Sequence, residues 1–566
     1  MRTLLLAVAA GAASLLSSTS AAAADTQVSG AASGTWTVGG SPYVLTGDVA
    51  VPTGAVLQIE AGVTVRFAGH HKLTVHGRLS AVGTPSAPIT FTRHENTAAS
   101  RGWGIRFVDA IAATSTLAHV IVEHGYASNG TLGTEDDDSG GGIFIRNSSV
   151  TVEDSEIRYN TSGFGGGIVI IGASPGRITL QRNRIHHNIV DSVGQSIFSG
   201  GAGLALSGAG ASTEVRDNLI YQNTHLGSDA LEYEGGGGIF VDSGAPAIIN
   251  NTIWGNASPK GCGAHILPFV SSAIVFANNI VWGNTGCVNP GQATLEVEDT
   301  PGGQLSTSTV LAHNVVQGGF QKLYRNTFEA DIEGLATITA DPQLHAPAIG
   351  VFELRAGSNA VDSASAAVTG YAGTDFYALG RVDAPGVSDT GAGSPAYADR
   401  GAIEWTDGDG DMVADGADNC VGVANPDQLD TDGDDVGDAC DDDPDNLDPD
   451  GGVDGGGDGD VDAGSDGGAG QPGAGSTTFY TCGAADGAAG LLPLAAVLGF
   501  ALGRRRRRRR RRDLLAERHS LHNDIVNAGS SMVPVTYAFT TRRVAVGTRH
   551  GFLDHRPTSP PDPAGP

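Results

Sequence analysis

Apolar and polar residues alternate with a period of two in short runs between Trp36 and Phe107. Typical runs begin at Leu57, Val63 and Leu73, and glycine, proline and histidine residues separate them. Such alternation is typical of short strands that turn one face to a core and the other to solvent. The intervals are too short for helices, so the pattern predicts an all-β beginning to the folded chain.

A longer repeat follows between Gly140 and Asn284. Each unit has a glycine cluster, an apolar run, and a closing phrase in which an apolar residue is followed three positions later by asparagine. The closing asparagines are Asn160, Asn188, Asn223, Asn256 and Asn284, at intervals of 28, 35, 33 and 28 residues. A period in this range indicates a solenoid of stacked units.

The phrases VLQIEAGVTVRFAGHHKLTVHGRLSAVGTPSAPITF (residues 56–91) and RGWGIRF (residues 101–107) resemble the first coils of right-handed parallel β-helix proteins. The resemblance implies an all-β, right-handed parallel β-helix over residues 25–320. Its coils would stack about 4.8 Å apart, with on the order of ten coils at typical repeat lengths.

Inside such a solenoid each coil places an apolar residue above the equivalent residue of its neighbour. We therefore predict one internal stack, formed by Ile157, Ile185, Ile220 and Ile253. The asparagines three residues later suit tight corners, because asparagine tolerates the left-handed conformation and its amide can bond to the next corner. The alternative is that they line a binding face. The glycine clusters also predict corners, since no GKS or GKT phrase of a nucleotide-binding loop follows them.

Residues 321–405 resemble the choice-of-anchor Q domain. The matching phrases are Asp341-Pro342-Gln343-Leu344, Phe352 to Asp362, Gly380-Arg381 and Asp399 to Glu404. This resemblance implies a C-terminal cap on the solenoid of a surface protein.

Residues 406–441 contain two acidic loops with the same internal spacing. Oxygen ligands at loop positions 1, 3, 5, 7 and 12 suit a cation of Ca²⁺ size, the ligand at position 7 being a backbone carbonyl. The predicted ligands are Asp407, Asp409, Asp411, Val413 and Asp418 in the first loop, and Asp430, Asp432, Asp434, Val436 and Asp441 in the second. The segment resembles thrombospondin type 3 repeats, and we expect it to order only with Ca²⁺. The alternative is a solvated acidic linker.

Residues 1–24 read as a secretory signal peptide, with an apolar run and an Ala22-Ala23-Ala24 end; the alternative is a buried hydrophobic helix. Export places the five cysteines in an oxidising setting. Cys262 and Cys287 are about one repeat apart and could bridge neighbouring coils, and Cys420 and Cys440 form a second predicted pair. One cysteine is then left over.

That cysteine lies in the C-terminal part of the chain. Residues 442–481 form an Asp/Gly-rich stretch that predicts a flexible tether. In residues 482–512, Cys482-Gly483 leads into a short apolar run and nine arginines, which resembles the MYXO-CTERM sorting signal. The resemblance implies processing near the cysteine and display at the cell surface; the alternative is an ordinary single-span membrane anchor. Residues 513–566 stay unassigned.

The formal charge of −29 is concentrated in the acidic segment. It favours divalent cations there and argues against nucleic acid as a partner. We expect a monomer whose partner is an extracellular polysaccharide or another cell-surface molecule.

Parallel β-helices include enzymes that act on uronic-acid polymers at an outer face. The outward charged candidates here are Glu153, Asp154, Glu156, Arg158, Arg182, Arg184, His186, His187 and Asp217. We find no polygalacturonase-like set of catalytic phrases among them and no zinc-ligand spacing. We interpret these residues as solvated, and His124, His186 and His187 as exposed corner residues. The sequence favours a non-catalytic binding or adhesion protein, with a surface-displayed polysaccharide lyase or hydrolase as the alternative.

Overall fold

A computed structural model describes residues 25–95, 102, 104–127, 138–191, 199–227, 234–267, 272–287, 294–298, 308–323, 335–433 and 436–441. Within these ranges the chain forms strands and two 3₁₀ turns, Val38–Gly40 and Pro347–Ile349. The predicted segments 1–24, 442–481, 482–512 and 513–566 lie outside the described residues.

The strands follow one another in chain order with short connections. They are β1 (Thr26–Ala31), β2 (Gly34–Trp36), β3 (Tyr43–Val51), β4 (Val56–Ile59), β5 (Thr64–Phe67), β6 (Leu73–Val75), β7 (Arg78–Val82), β8 (Ile89–Arg93), β9 (Ile105–Val108), β10 (Ser115–Ala118), β11 (Val120–Glu123), β12 (Tyr126–Ala127), β13 (Ile143–Arg146), β14 (Val150–Glu153), β15 (Glu156–Arg158), β16 (Thr161–Ser162), β17 (Ile168–Ile171), β18 (Ile178–Gln181), β19 (Arg184–His186), β20 (Ile189–Asp191), β21 (Ser199–Gly200), β22 (Leu204–Ser207), β23 (Thr213–Arg216), β24 (Leu219–Tyr221), β25 (Thr224–Leu226), β26 (Glu234–Gly235), β27 (Ile239–Val241), β28 (Ala247–Ile249), β29 (Thr252–Trp254), β30 (Ala264–Ile266), β31 (Val275–Ala277), β32 (Ile280–Trp282), β33 (Leu295–Glu298), β34 (Val310–Ala312), β35 (Val315–Val316), β36 (Phe320–Leu323), β37 (Leu344–Ala346) and β38 (Val351–Leu354).

Strands β2 to β36 wind into a solenoid whose main strands pair in parallel on three faces. Face I runs β6–β9–β13–β17–β22–β27–β30–β33–β36. Face II runs β2–β4–β7–β10–β14–β18–β23–β28–β31–β34, and face III runs β5–β8–β11–β15–β19–β24–β29–β32–β35. The ten strands of face II agree with the number of coils predicted from the sequence.

The interior of the solenoid is one continuous apolar cluster. On face III, Ile157 pairs with Ile185, Ile185 with Ile220, and Ile220 with Ile253, and all four side chains are fully buried. The predicted internal stack is therefore confirmed. No coil can bury its apolar residues alone, so stability in such a fold is close to a sum over neighbouring coils.

The corner that follows face III holds the repeated asparagines, which form a ladder. The Oδ1 atom of Asn223 accepts from the backbone N–H and from Nδ2 of Asn188, each at 3.0 Å. The Asn223 Nδ2 in turn donates to Asn256 Oδ1 and to the Ile185 carbonyl, each at 2.9 Å. The same bonds recur from Asn160 to Asn284, so these asparagines form a structural ladder and do not line a binding face.

We predicted a left-handed conformation for these asparagines, and that prediction was wrong: the residue before each asparagine adopts it. The left-handed residue comes immediately before each one: Tyr159, His187, Gln222, Gly255 and Gly283 have φ of 54, 54, 53, 63 and 65°. This frees the asparagine side chain to point inward along the stack while its predecessor makes the turn.

The glycine clusters have a specific packing role at the same corner. A Cβ atom on Gly167 would lie 2.9 Å from Asn188 Nδ2, and one on Gly203 would lie 3.0 Å from Asn223 Nδ2. The last glycine of each cluster therefore lets the backbone approach the asparagine ladder closely.

A second ladder, which the sequence interpretation missed, occupies the corner between faces II and III. It comprises Asn183, Asn218, Asn251, Asn279 and Asn314, with Ser155 at its start. Here too the preceding residue is left-handed, as at Arg182 and Asp217. Two parallel ladders thus fix both ends of face III.

Residues 344–405, named here the lateral segment, pack along face III. Phe352 contacts Tyr221 with ring centroids 4.9 Å apart, the N–H of Gly401 donates to the Asn278 carbonyl at 2.8 Å, and Arg400 donates to the Asn314 carbonyl at 3.1 Å. The sequence led us to expect cover over the end of the solenoid. The contacts run along its side instead, because face III carries outward apolar residues from β24 onward.

Candidate functional site

One row of outward-facing residues on face III changes from charged to aromatic side chains along the solenoid. Glu123, Arg158, His186 and Tyr221 occupy equivalent positions on β11, β15, β19 and β24. The lateral segment covers the row from Tyr221 onward through Phe352. The polar part of the row precedes that cover.

Arg158 is the centre of the polar part. Its guanidinium donates to Glu123 Oε2 at 2.7–2.8 Å and to Glu156 Oε1 at 2.8 Å. His186 Nε2 lies 3.0 Å from the same Glu156 oxygen. Burial disfavours the charged form of Arg158, but the carboxylates of Glu156 and Glu123 outweigh it and raise the pKa of Arg158 above its ordinary value.

His186 was predicted to be an exposed corner residue, and that prediction was wrong. Its side chain is 7% exposed and stacks on Tyr221 with ring centroids 4.6 Å apart. Burial lowers the pKa of His186, although the contact with Glu156 acts in the opposite direction. The burial of the ring thus favours the neutral form of His186.

Aromatic rings continue the row at the left-handed corner. Tyr159 stacks on His124 with centroids 5.7 Å apart and planes 15° from parallel, and it lies 5.2 Å from the His187 ring. All three side chains are half-buried. Together with Glu123, Glu156, Arg158 and His186 they form what we name the polar–aromatic row.

The other charged candidates are engaged elsewhere. At the corner between faces II and III, Arg182 binds both carboxylate oxygens of Asp154 at 2.8 Å and also Glu153 at 2.9 Å. Arg184 is covered by the lateral segment, with its guanidinium 4.8 Å from the centroid of the Phe376 ring. These groups lie outside the polar–aromatic row.

Asp217 was interpreted as solvated, which was wrong. It is 1% exposed and receives a hydrogen bond from Arg381 Nη2 of the lateral segment at 3.0 Å. Arg381 also donates to Glu404 at 2.8 Å. Burial raises the pKa of Asp217, while Arg381 and Arg216 oppose that shift. The pair joins the lateral segment to the solenoid and is not available for catalysis.

In the first acidic loop the structure brings together three of the five predicted ligands. One carboxylate oxygen from each of Asp407, Asp409 and Asp411 lies within 4.8 Å of the others. Asp409 Oδ2 is buried without a hydrogen-bond partner. Asp418 is not part of this group of three; its Oδ1 accepts from the Cys420 N–H and from Gln428 Nε2, each at 2.8 Å.

The backbone of this loop already bends around the carboxylates. Asp407 accepts from the N–H groups of Gly410 at 2.8 Å and Met412 at 3.0 Å, and Asp411 Oδ1 accepts from that of Val413 at 2.8 Å. Asp430 of the second loop makes the corresponding bond to Gly433 at 2.7 Å. The residues present fit a cation held by oxygen ligands.

The second loop is described only in part. Asp430, Asp432, Val436 and Asp441 are described, and Asp434 lies outside the described residues. Disulfide bonds join Cys262 to Cys287 and Cys420 to Cys440. Cys482 and Gly483 also lie outside. No helix within the described ranges has the length and apolar character needed to cross a membrane.

Comparison with known proteins agrees with this geometry. Residues 141–330 match the family described as the right handed beta helix region. The chain contains a right-handed β-helix. The family includes both pectate-lyase-like enzymes and binding proteins, so the match establishes the fold of this region and leaves its activity open.

A short stretch of the β-helix protein also resembles a much larger protein. Over 58 residues it is 47% identical to Protein bark beetle of Drosophila melanogaster. The matched stretch makes up 10% of this chain and 2% of that protein. The chain thus spans a very small part of this relative.

Sequence reasoning missed Glu123 and Tyr159 as members of the polar–aromatic row. Glu123 lies 35 residues before Arg158, a repeat length found elsewhere in the chain. Extending the repeat one coil towards the N-terminus would have placed it beside Arg158.

Proposed function

We propose that this protein is a non-catalytic, surface-displayed β-helix that binds an extracellular glycan along the polar–aromatic row. The supporting observation is the arrangement of half-buried rings beside charged groups that are held in place by one another. Binding sites of this kind combine apolar ring surface with a few positioned polar groups.

The pairing of the charges favours binding over acid–base chemistry. Glu156 already accepts hydrogen bonds from Arg158 and contacts His186, and Glu123 is paired with Arg158. A general base needs a lone pair directed at the substrate proton. Here the carboxylates are directed at protein donors, while the outer edges of the same groups can still meet sugar hydroxyls.

The test is binding of the full chain to a panel of neutral and uronic-acid polysaccharides, with Tyr159→Asn and His187→Asn as site variants. Both positions are left-handed, and asparagine tolerates that conformation, so the backbone should be kept. Gln222→Asn is the matched control, because it occupies the same corner one coil further on. We expect at least tenfold weaker binding for the two site variants and unchanged binding for the control. The proposal would be refuted if all three variants bound as tightly as the native chain.

The second candidate is a polysaccharide lyase or hydrolase on the same row. The observation that favours it is Arg158 between two carboxylates with His186 beside them. Release of unsaturated or shortened oligosaccharides during the binding experiment, lost in Arg158→Gln, would replace the binding proposal with this one.

We further propose that residues 406–441 bind Ca²⁺ through Asp407, Asp409 and Asp411 in the first loop and through the equivalent residues of the second. The partnerless Asp409 Oδ2 and the grouping of the three carboxylates support this. Ca²⁺ titration of the full chain should protect this segment from proteolysis, and Asp409→Asn should weaken the protection. Unchanged protease sensitivity would contradict the proposal.

Surface display rests on the signal-like residues 1–24 and the sorting-like residues 482–512. Fractionation of cells producing the full chain should place it at the surface. Removal of residues 482–512 should release it into the medium, and its retention at the surface would contradict this role.

A further inference from the structure

Asp362 of the lateral segment has a buried carboxylate, and one of its oxygens accepts no hydrogen bond. Its side chain is fully buried. One oxygen, Oδ1, accepts a long bond of 3.4 Å from the Ala384 N–H, and the other, Oδ2, has no hydrogen-bond partner. A buried carboxylate oxygen is costly unless a donor or a cation meets it.

Two further carboxylates converge on Asp362 from the loop that follows Val382. One carboxylate oxygen from each of Asp362, Asp383 and Asp389 lies within 4.8 Å of the others. Asp383 and Asp389 are exposed, and neither has an ion-pair partner among the residues described. Three anionic groups therefore meet with no protein cation between them.

The spacing fits one hard cation. Two oxygens that bind the same Ca²⁺ at 2.3–2.6 Å are separated by at most about 5 Å. Separations of up to 4.8 Å are thus within reach of one calcium ion. Water and backbone carbonyls usually complete the six to eight ligands of such an ion.

We propose that Asp362, Asp383 and Asp389 form a Ca²⁺ site in the lateral segment, separate from the two loops of residues 406–441. Asp362 supplies the buried ligand, and the two loop residues supply exposed ones. The site is independent of the proposed glycan binding.

The bonds around Asp362 show what such an ion would hold. The Asp362 carbonyl accepts from the N–H groups of Thr390 at 2.8 Å and Gly391 at 3.2 Å, just after Asp389. The Asp362 N–H donates to Asp399 Oδ1 at 2.7 Å, and Asp399 Oδ2 accepts from the Trp405 N–H at 2.7 Å. A cation here would fasten the 383–389 loop to the part of the lateral segment that packs on the solenoid.

The test is hydrogen–deuterium exchange of the full chain with and without CaCl₂, followed in peptides that cover residues 383–391. This local measurement separates the site from Ca²⁺ bound at residues 406–441. We expect Ca²⁺ to slow exchange in these peptides at least tenfold, with a smaller effect of equal concentrations of MgCl₂.

The site variants are Asp383→Asn and Asp389→Asn, which change exposed residues and leave buried Asp362 intact. Asp341→Asn is the matched control, since it removes one exposed charge from the region just before the lateral segment, and its asparagine can still accept the Gln343 N–H. We expect the Ca²⁺ effect to be lost in both site variants and kept in the control. The proposal is overturned if Ca²⁺ leaves exchange of the native peptides unchanged, or if it slows exchange equally in all three variants.

Discussion

Replacing Asn223 by alanine would interrupt the asparagine ladder in the middle of the β-helix. Asn223 is fully buried, and its amide takes part in four hydrogen bonds with the two neighbouring coils. After the substitution the backbone N–H of Asn188 keeps no acceptor, because Asn223 Oδ1 is the acceptor that it uses. The Asn256 Oδ1 still accepts from the Asn223 backbone N–H at 3.0 Å.

The expected cost follows from these bonds. The orphaned, buried Asn188 N–H costs about 1–3 kcal/mol, and each of the other lost bonds costs on the order of 1 kcal/mol net. Asn188 Nδ2 loses its bond to Asn223 Oδ1 but still donates to the Ile157 carbonyl, so this group stays partly satisfied. We expect a total destabilisation of about 3–5 kcal/mol.

Chemical denaturation of the full chain, followed by far-UV circular dichroism, measures this loss as a change in the free energy of unfolding of the β-helix. Asn147→Gly is the matched control, since it removes only an exposed hydrogen bond to Asp109 and glycine keeps the left-handed backbone (φ 47°); it should cost less than about 1 kcal/mol. A loss of under 1 kcal/mol for Asn223→Ala, or a loss equal to that of the control, would refute the structural role assigned to the ladder.

Three further predictions test other buried contacts. Burial lowers the pKa of His225 to about 4, so the stabilising neutral form is fully present above pH 6.5 and is lost as the pH falls towards 4. The native chain should therefore lose about 2 kcal/mol more than His225→Asn between pH 8 and pH 5, and parallel pH profiles of unfolding would contradict this. Arg381→Met leaves Glu404 buried without its arginine and Asp217 with Arg216 alone, and should destabilise the lateral segment by about 3–5 kcal/mol, measured as faster proteolysis of residues 344–405; unchanged proteolysis would rule this out. Replacing Cys262 and Cys287 by serine opens a loop closed over 25 residues and should cost about 3–4 kcal/mol, which a denaturation midpoint equal to that of the native chain would exclude.

Much of the solenoid follows from its periodicity. The inward stack at Ile157 and Ile185 could be predicted because inward positions recur at a fixed place in each coil. The second ladder, from Asn183 to Asn314, could have been found in the same way, since each member precedes one of the strands of face III by a constant interval. The left-handed residue could not be located from composition, because residues as different as Tyr159 and Arg182 occupy that position.

Contacts between distant parts of the chain were harder to predict. The repeat specifies which residues face outward but not what covers them, so Asp217 was interpreted as solvated. The sequence did contain a signal: at equivalent outward positions Arg158 and His186 are followed by Tyr221 and Trp254. Large aromatic side chains in a row on an outer face indicate that another part of the chain packs on them. Likewise, the loop spacing identified Asp407, Asp409 and Asp411 as a group, but it could not show that Oδ1 of Asp418 accepts hydrogen bonds from Cys420 and Gln428.

The two ladders also explain how the coils can differ in length. Successive ladder asparagines are 28, 35, 33 and 28 residues apart, yet each makes the same bonds to its neighbour. Extra residues are therefore accommodated between the corners and leave the stacking geometry unchanged. Such coils act as interchangeable units: one can be duplicated, lost or given a longer loop during evolution, and the outer surface can change while the interior keeps its register.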